Sequence, residues 1–249
     1  MTVADLRTFY ADRSQELDEY FRLLDTVELA AQSGVPTIAG TKDHITVLQR
    51  KILFSSSYLQ LYNLVEATVS RCIDELTDAV VGENKWKVGD LSENLRREWV
   101  RSVGRTHMQQ EPDGRLKSFL AACDHIIGQL PVEKFLIEKG GGGNWDDESI
   151  YEICKRLGCN LKVTPATRSA VKKRMRNNLG AMQLVKNRRN ELAHGVISFV
   201  ECADGVDLSD LKRTADAVRR YLREVIDCFT SYIELLGYLH PNSKSAGVS

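Results

Sequence analysis

Proline is scarce in this chain, and where it falls limits the architecture more than any other feature. Proline removes a helical N–H donor and clashes with the preceding turn, so it collects between helices. The five prolines of the 249 residues are Pro36, Pro112, Pro131, Pro165 and Pro241, and the stretches between them mostly carry helical periodicity. A first helix is predicted over 3–33, with Leu6, Tyr10, Leu17, Phe21 and Leu24 on its apolar side and Gly34-Val35-Pro36 ending it. A second is predicted over 43–79. Its stripe of Ile45, Leu48, Ile52, Leu59, Tyr62, Val65, Val69, Cys72 and Leu76 advances by threes and fours except across Ser55–Ser57. A last long helix is predicted over 208–239 on Leu208, Leu211, Ala215, Val218, Leu222, Ile226, Phe229, Ile233 and Leu236. At 1.5 Å per residue the second helix would be about 50 Å long, more than a small domain needs. The fold class expected is all-α.

Between the long helices the signal weakens. Shorter helices are predicted over 90–103, 116–127 and 146–157, the last closed by Gly158, with Trp86, Trp99 and Phe119 as core anchors. Gly140 to Gly143 form a break, and nothing else marks a domain boundary. Residues 1–240 are therefore read as one domain and 241–249 as a disordered tail.

Lys and Arg together number 34, as do Asp and Glu, so net charge predicts no polyanionic partner. The six cysteines contain no Cys-x-x-Cys pair and several fall on apolar stripes, which suits reduced, partly buried thiols. No apolar run approaches the ~20 residues of a membrane span, and the N-terminus is polar and charged. A soluble, cytoplasmic protein is expected.

Charge distribution is more telling than charge balance. Residues 166–189 contain Arg168, Lys172, Lys173, Arg174, Arg176, Lys186, Arg188 and Arg189 and no acid. An acid-free run of this kind points to phosphate-backbone contact, with Lys172, Lys173, Arg174, Arg176, Lys186 and Arg188 as candidate contacts. Its apolar stripe is Val171, Met175, Met182, Val185 and Leu192, and Arg189 falls in the step between the last two. An arginine turned inward there asks for an anion, because an unpaired buried charge is costly.

The run ends in Arg188-Arg189-Asn190-Glu191-Leu192-Ala193-His194-Gly195. Asn190 and His194 are i, i+4 neighbours, and Gly195 suits the left-handed residue beyond a helix end. His194 would then sit in the last turn, where the helix dipole favours an imidazolium. An imidazole can give or take a proton, and a guanidinium can grip two phosphate oxygens. RNA supplies its own nucleophile, the 2′-hydroxyl, so those groups suffice to cleave it without a metal. One histidine would have to make both proton transfers unless a second chain supplies another, which favours a symmetric homodimer.

This run resembles the R-x4-6-H signature of the HEPN superfamily of all-α ribonucleases, including the polar residue after the arginine. The long helices and the Gly-Asn-plus-short-helix insertion near Asn144 resemble the MAE-type HEPN branch, over roughly residues 1–240. The resemblance implies a helical bundle of long antiparallel helices with short helical insertions. It also implies a dimeric, metal-independent endoribonuclease without cofactor, acting as a toxin or phage-defence effector beside an antitoxin or defence-system partner. Arg189 and His194 would be catalytic, with Asn190 assisting. Some relatives carry a modifiable tyrosine two residues past the histidine; Val196 stands there in this chain.

The alternative is a non-catalytic nucleic-acid-binding or scaffold module. A helix-turn-helix over 149–176 would need a shorter linker than 159–165. Gly40-Thr41-Lys42 is not a Walker phosphate loop, and Cys154 with Cys159, or Cys123 with His125, does not give four ligands at zinc spacing.

Overall fold

The computed structural model describes residues 4–41, 43–82, 85–105, 111–133, 135–139 and 144–244. Three long helices carry the bundle: α1 (Ala4–Ser33), α2 (Val47–Val81) and, near the C-terminus, α9 (Leu208–Glu234). Between α2 and α9 lie α3 (Glu93–Arg105), α4 (Pro112–Ile127), α5 (Asp147–Leu157), α6 (Pro165–Lys172), α7 (Ala181–Ala193) and α8 (Phe199–Ala203). A final turn, α10 (Pro241–Lys244), follows. Among the described residues β-pairing is confined to isolated bridges, and no helix is long and apolar enough to cross a membrane. The all-α expectation holds.

Pairing across the long helices fixes their directions. Along α1 and α2, Arg50 meets Glu28 at 2.5 Å, the Tyr20 hydroxyl donates to the Leu53 carbonyl, and Arg71 lies over the Phe9 ring. Along α1 and α9, Lys212 meets Asp25, Arg219 meets Asp18 and Asp227 meets Arg7. Helix α1 is therefore antiparallel to both, while α2 and α9 run parallel to each other. Helix α2 is the hub, packed against α1, α7, α8 and α9. Helix α9 buries Leu211, Ala215, Val218, Leu222, Ile226 and Phe229 as its stripe predicts.

The buried face of α2 differs from the predicted one at its N-terminal end. Leu48 and Ile52 are exposed, the helix starts four residues later, and Ser55 and Ser57, which interrupt the stripe, are wholly buried. The reason is α8, whose Phe199 carbonyl accepts a hydrogen bond from Ser55 Oγ. So close a backbone approach requires small residues on α2. Trp86 and Trp99 are core residues as expected, but Phe119 is 66% exposed. Helix α4 reaches the bundle through α3 and buries none of its residues.

The acid-free basic run, whose apolar stripe reads as helical, is three pieces. Helix α6 stops at Lys172, a 3-10 turn covers Arg176–Asn178, and α7 begins after Gly180. Asn177 and Asn178 adopt left-handed backbone (φ 57° and 59°), a conformation asparagine tolerates better than most residues. At Gly180 a Cβ would come within 2.6 Å of the Val171 carbonyl oxygen, so the crossing from α6 to α7 leaves room only for glycine.

At the C-terminus, Pro241–Lys244 is helical rather than disordered, held by the Ser243 hydroxyl on Asp90. The rest of the expected tail, 245–249, and the Gly140–Gly143 break lie outside the described residues. All six cysteines are free, four of them buried.

Candidate active site

Helix α7 turns Ala181, Met182, Leu184, Val185, Arg188 and Leu192 into the bundle. The inward arginine on that row is Arg188, not Arg189 as the stripe suggested. Arg188 is 10% exposed and its charge is met by Glu191, one turn on, at 2.7 Å. Arg189 stands at the edge of the interface, about a quarter exposed. Its guanidinium carbon lies 4.3 Å from the centroid of the Tyr62 ring. One Nη donates to Asn190 Oδ1 at 2.8 Å and the other reaches Glu66 Oε2 at 3.4 Å. The anion that faces Arg189 within the chain is thus the Glu66 carboxylate of α2. Two Nη donors engaged leave others of the five guanidinium N–H groups for a ligand.

Asn190 continues the network, its Nδ2 donating to Asn144 Oδ1 at 2.9 Å. The segment after Asn144 is pinned at every step. The Trp145 N–H donates to the buried Tyr62 hydroxyl at 2.9 Å. Asp146 caps α5 by accepting the Ser149 N–H and also accepts from Lys186 of α7. Asp147 pairs with Lys172 of α6 at 2.6 Å, and its carbonyl accepts the Tyr221 hydroxyl of α9. The Tyr62 hydroxyl is raised in pKa by burial, against the opposing effects of the Trp145 hydrogen bond and the Arg189 charge. It stays a neutral phenol under the cation.

Burial pushes the Asp146 carboxyl up, but the hydrogen bonds from Lys186 and Ser149 outweigh it, and the net pKa is lowered. A carboxylate with a depressed folded pKa contributes stability above its unfolded pKa, and that contribution is lost as pH falls through the folded value. The hold on the Asn144 segment should therefore weaken in acid, from about pH 4 downward. Asp146→Ala should cost about 1–2 kcal/mol at neutral pH, as a lost N-cap does. Urea denaturation at several pH values checks this: the gap between parent and variant should narrow below about pH 4.

His194 is the C-cap residue of α7, and its exposed side chain makes no hydrogen bond among the described residues. The helix stops as its sequence predicts. Gly195 is left-handed at φ 66°, its N–H donates to Leu192 and that of Val196 to Glu191, which closes a Schellman turn. The imidazole therefore stands at the negative end of a helix dipole with both nitrogens available. The structure joins Arg189, Asn190 and Asn144 by side-chain contacts. Among the described residues the one hydrogen bond that ties His194 to them is its backbone N–H on the Asn190 carbonyl, at 3.0 Å.

The six candidate backbone contacts do not share one basic face. Lys172, Lys186 and Arg188 are occupied by Asp147, Asp146 and Glu191. Lys173, Arg174 and Arg176 gather with Arg213 around a cavity of about 330 Å³ floored by Tyr58 and Leu184. Four of the residues organising the corner, Tyr62, Glu66, Trp145 and Asp146, carry no site signal in the sequence. Tyr62 stands in an apolar stripe and Asp146 looks like a helix start, and only their spatial meeting gives them a part here. Among the described residues no three His, Cys, Asp or Glu side chains are grouped to hold a metal ion.

A family model described as MAE_28990-like HEPN matches residues 3–238, nearly the whole bundle. No curated protein and no solved structure matches the chain.

Proposed function

The chain belongs to the MAE-type HEPN family, and from that premise we propose that it is a metal-independent endoribonuclease, a toxin or defence effector working as a homodimer. The observation that carries this reading is the corner at the end of α7. An arginine with spare donors is braced there on a buried ring, and an unengaged imidazole stands beyond it at the helix terminus. Arg189 binds the non-bridging oxygens of the scissile phosphate in place of, or beside, Glu66, and Asn190 orients the guanidinium.

His194 moves the protons. The 2′-oxygen gives up its proton to a base and bonds to phosphorus, and the 5′-oxygen leaves carrying a proton from an acid. The RNA is left with a 2′,3′-cyclic phosphate and a 5′-hydroxyl. One histidine per chain would have to make both proton transfers, so the base and the acid are two copies of His194 brought together by the dimer. Lys173, Arg174 and Arg176 remain candidates for tracking the strand. Arg188 does not, because it is buried and paired.

Purified protein with RNA in excess chelator should give products ending in 2′,3′-cyclic phosphate. RNA that survives, or products ending in 3′-hydroxyl, would refute the mechanism. A second reading has one observation in its favour: among the described residues no side-chain hydrogen bond joins His194 to Arg189, which would equally suit a non-catalytic RNA-binding or scaffold module. That module would show steeply salt-dependent RNA binding without cleavage.

A further inference from the structure

Asn144, the partner of Asn190, is also part of the wall of a second cavity. This cavity of about 480 Å³ lies between α3 and α5, within the size range of ligand sites. Helix α3 contributes Arg97 and Arg101, α5 contributes Lys155 and Arg156, and Lys139 closes one side. Glu152 is the acid on the same lining.

The basic wall is built rather than incidental. Glu98 is buried to 1% exposure beneath it and pairs with both Arg101 and Arg156, the latter at 3.2 Å. One carboxylate holding two guanidinium groups fixes both against the cavity. Planar guanidinium groups fixed in this way keep donors directed at a ligand. The Asn94 amide donates to the Lys155 and Arg156 carbonyls, which fixes α3 against α5. Among the described residues Arg97 and Lys139 are paired only with the exposed Glu93 and Asp74. Lys155 has no ion-pair partner among the described residues. Trp145 also lines the cavity but is 3% exposed, so its ring offers no surface on which a base could stack.

We propose that this cavity is a phosphate subsite for the RNA strand, taking a backbone phosphate beside the one held at Arg189. The proposal rests on the ribonuclease reading above. Asn144 supplies the continuity, since it faces the cavity and bonds Asn190 at once. With charge but no stacking surface, the subsite binds independently of sequence and anchors a flanking part of the strand.

The test uses the full chain carrying His194→Ala, so that bound RNA stays intact, and follows fluorescence anisotropy of labelled single-stranded RNA. Arg97→Gln with Lys155→Gln removes two cations and leaves the Glu98 cluster untouched. A dodecamer should bind about tenfold more weakly. The slope of log affinity against log salt should become shallower by about 0.7 for each phosphate that the variant no longer neutralises. A dinucleotide, too short to span both sites, should bind the double variant as it binds the parent. An unchanged affinity and slope for the dodecamer would overturn the subsite. If the His194-bearing parent still cleaves RNA in that case, the enzyme reading stands and only the subsite falls. If the parent neither binds nor cleaves RNA, both fall. Inorganic pyrophosphate is the second arm: displacement of RNA at micromolar concentration in the parent, lost in the double variant, would assign the cavity to a small free phosphate and overturn the RNA assignment.

Discussion

Changing His194 to alanine should lower RNA cleavage by about 10²–10⁴-fold, the range by which a positioned acid or base accelerates such a step. The folded state should hardly notice. His194 is exposed at the end of α7, and the turn that follows is held by backbone bonds from Gly195 and Val196. The loss should stay below about 1 kcal/mol, the scale of one charge–dipole interaction at a helix end. Rate and thermal stability measured on the same preparation separate the two effects. An unchanged rate would remove His194 from the chemistry.

The dimer can be tested with the same variant. Mixing parent and His194→Ala chains in excess variant places most parent subunits opposite a chain without the imidazole. If two copies of His194 divide the proton transfers, activity per parent chain should fall as variant is added. If each chain works alone, it should not change. Arg189→Ala is the companion, with an expected loss of about 10²–10³-fold, as for removing one donor from a developing anion. Its neighbour Arg188 is a control for position: buried and paired with Glu191, it should act on stability first.

That one-residue distinction shows where the sequence could be read and where it could not. The seven-residue step from Val185 to Leu192 leaves two inward positions, three or four residues on, and Arg188 and Arg189 occupy both. Periodicity cannot choose between them; packing against α2 and α9 does. The break inside the basic segment was legible in principle, because Asn177-Asn178 before Leu179-Gly180 is turn chemistry. The acids that neutralise the segment were not legible locally. Asp146 and Asp147 lie some distance back in the chain and meet Lys186 and Lys172 only when α5 docks. The long helices were the readable part, since Leu211 to Phe229 on α9 repeat for long enough that propensity and burial agree. The end of α7 was readable too, because Gly195 performs a local task that depends on few distant residues.

The largest effect on stability is expected at Tyr62, where fold and site share one side chain. Its ring is 2% exposed, it lies beneath the Arg189 guanidinium, and its hydroxyl accepts the Trp145 N–H. Tyr62→Ala opens a cavity of the kind that costs about 3–5 kcal/mol. It also leaves the Trp145 N–H without its acceptor, about 1–3 kcal/mol more. Against the 5–15 kcal/mol of a typical domain, that variant approaches unfolding, so a loss of cleavage in it would mean little. Two milder changes separate the roles. Tyr62→Phe keeps the ring under Arg189 and removes only the hydroxyl, so it should lose about 1–3 kcal/mol and keep cleavage within a few-fold of the parent. Tyr62→Leu keeps apolar volume and removes the ring, along with about 0.5–2 kcal/mol of cation–π support for the guanidinium. It should lose cleavage beyond what its stability, measured by urea denaturation, accounts for. If Tyr62→Phe is as inactive as Arg189→Ala while still folded, the brace on the arginine is not the ring but the Asn144–Trp145 segment that the hydroxyl holds.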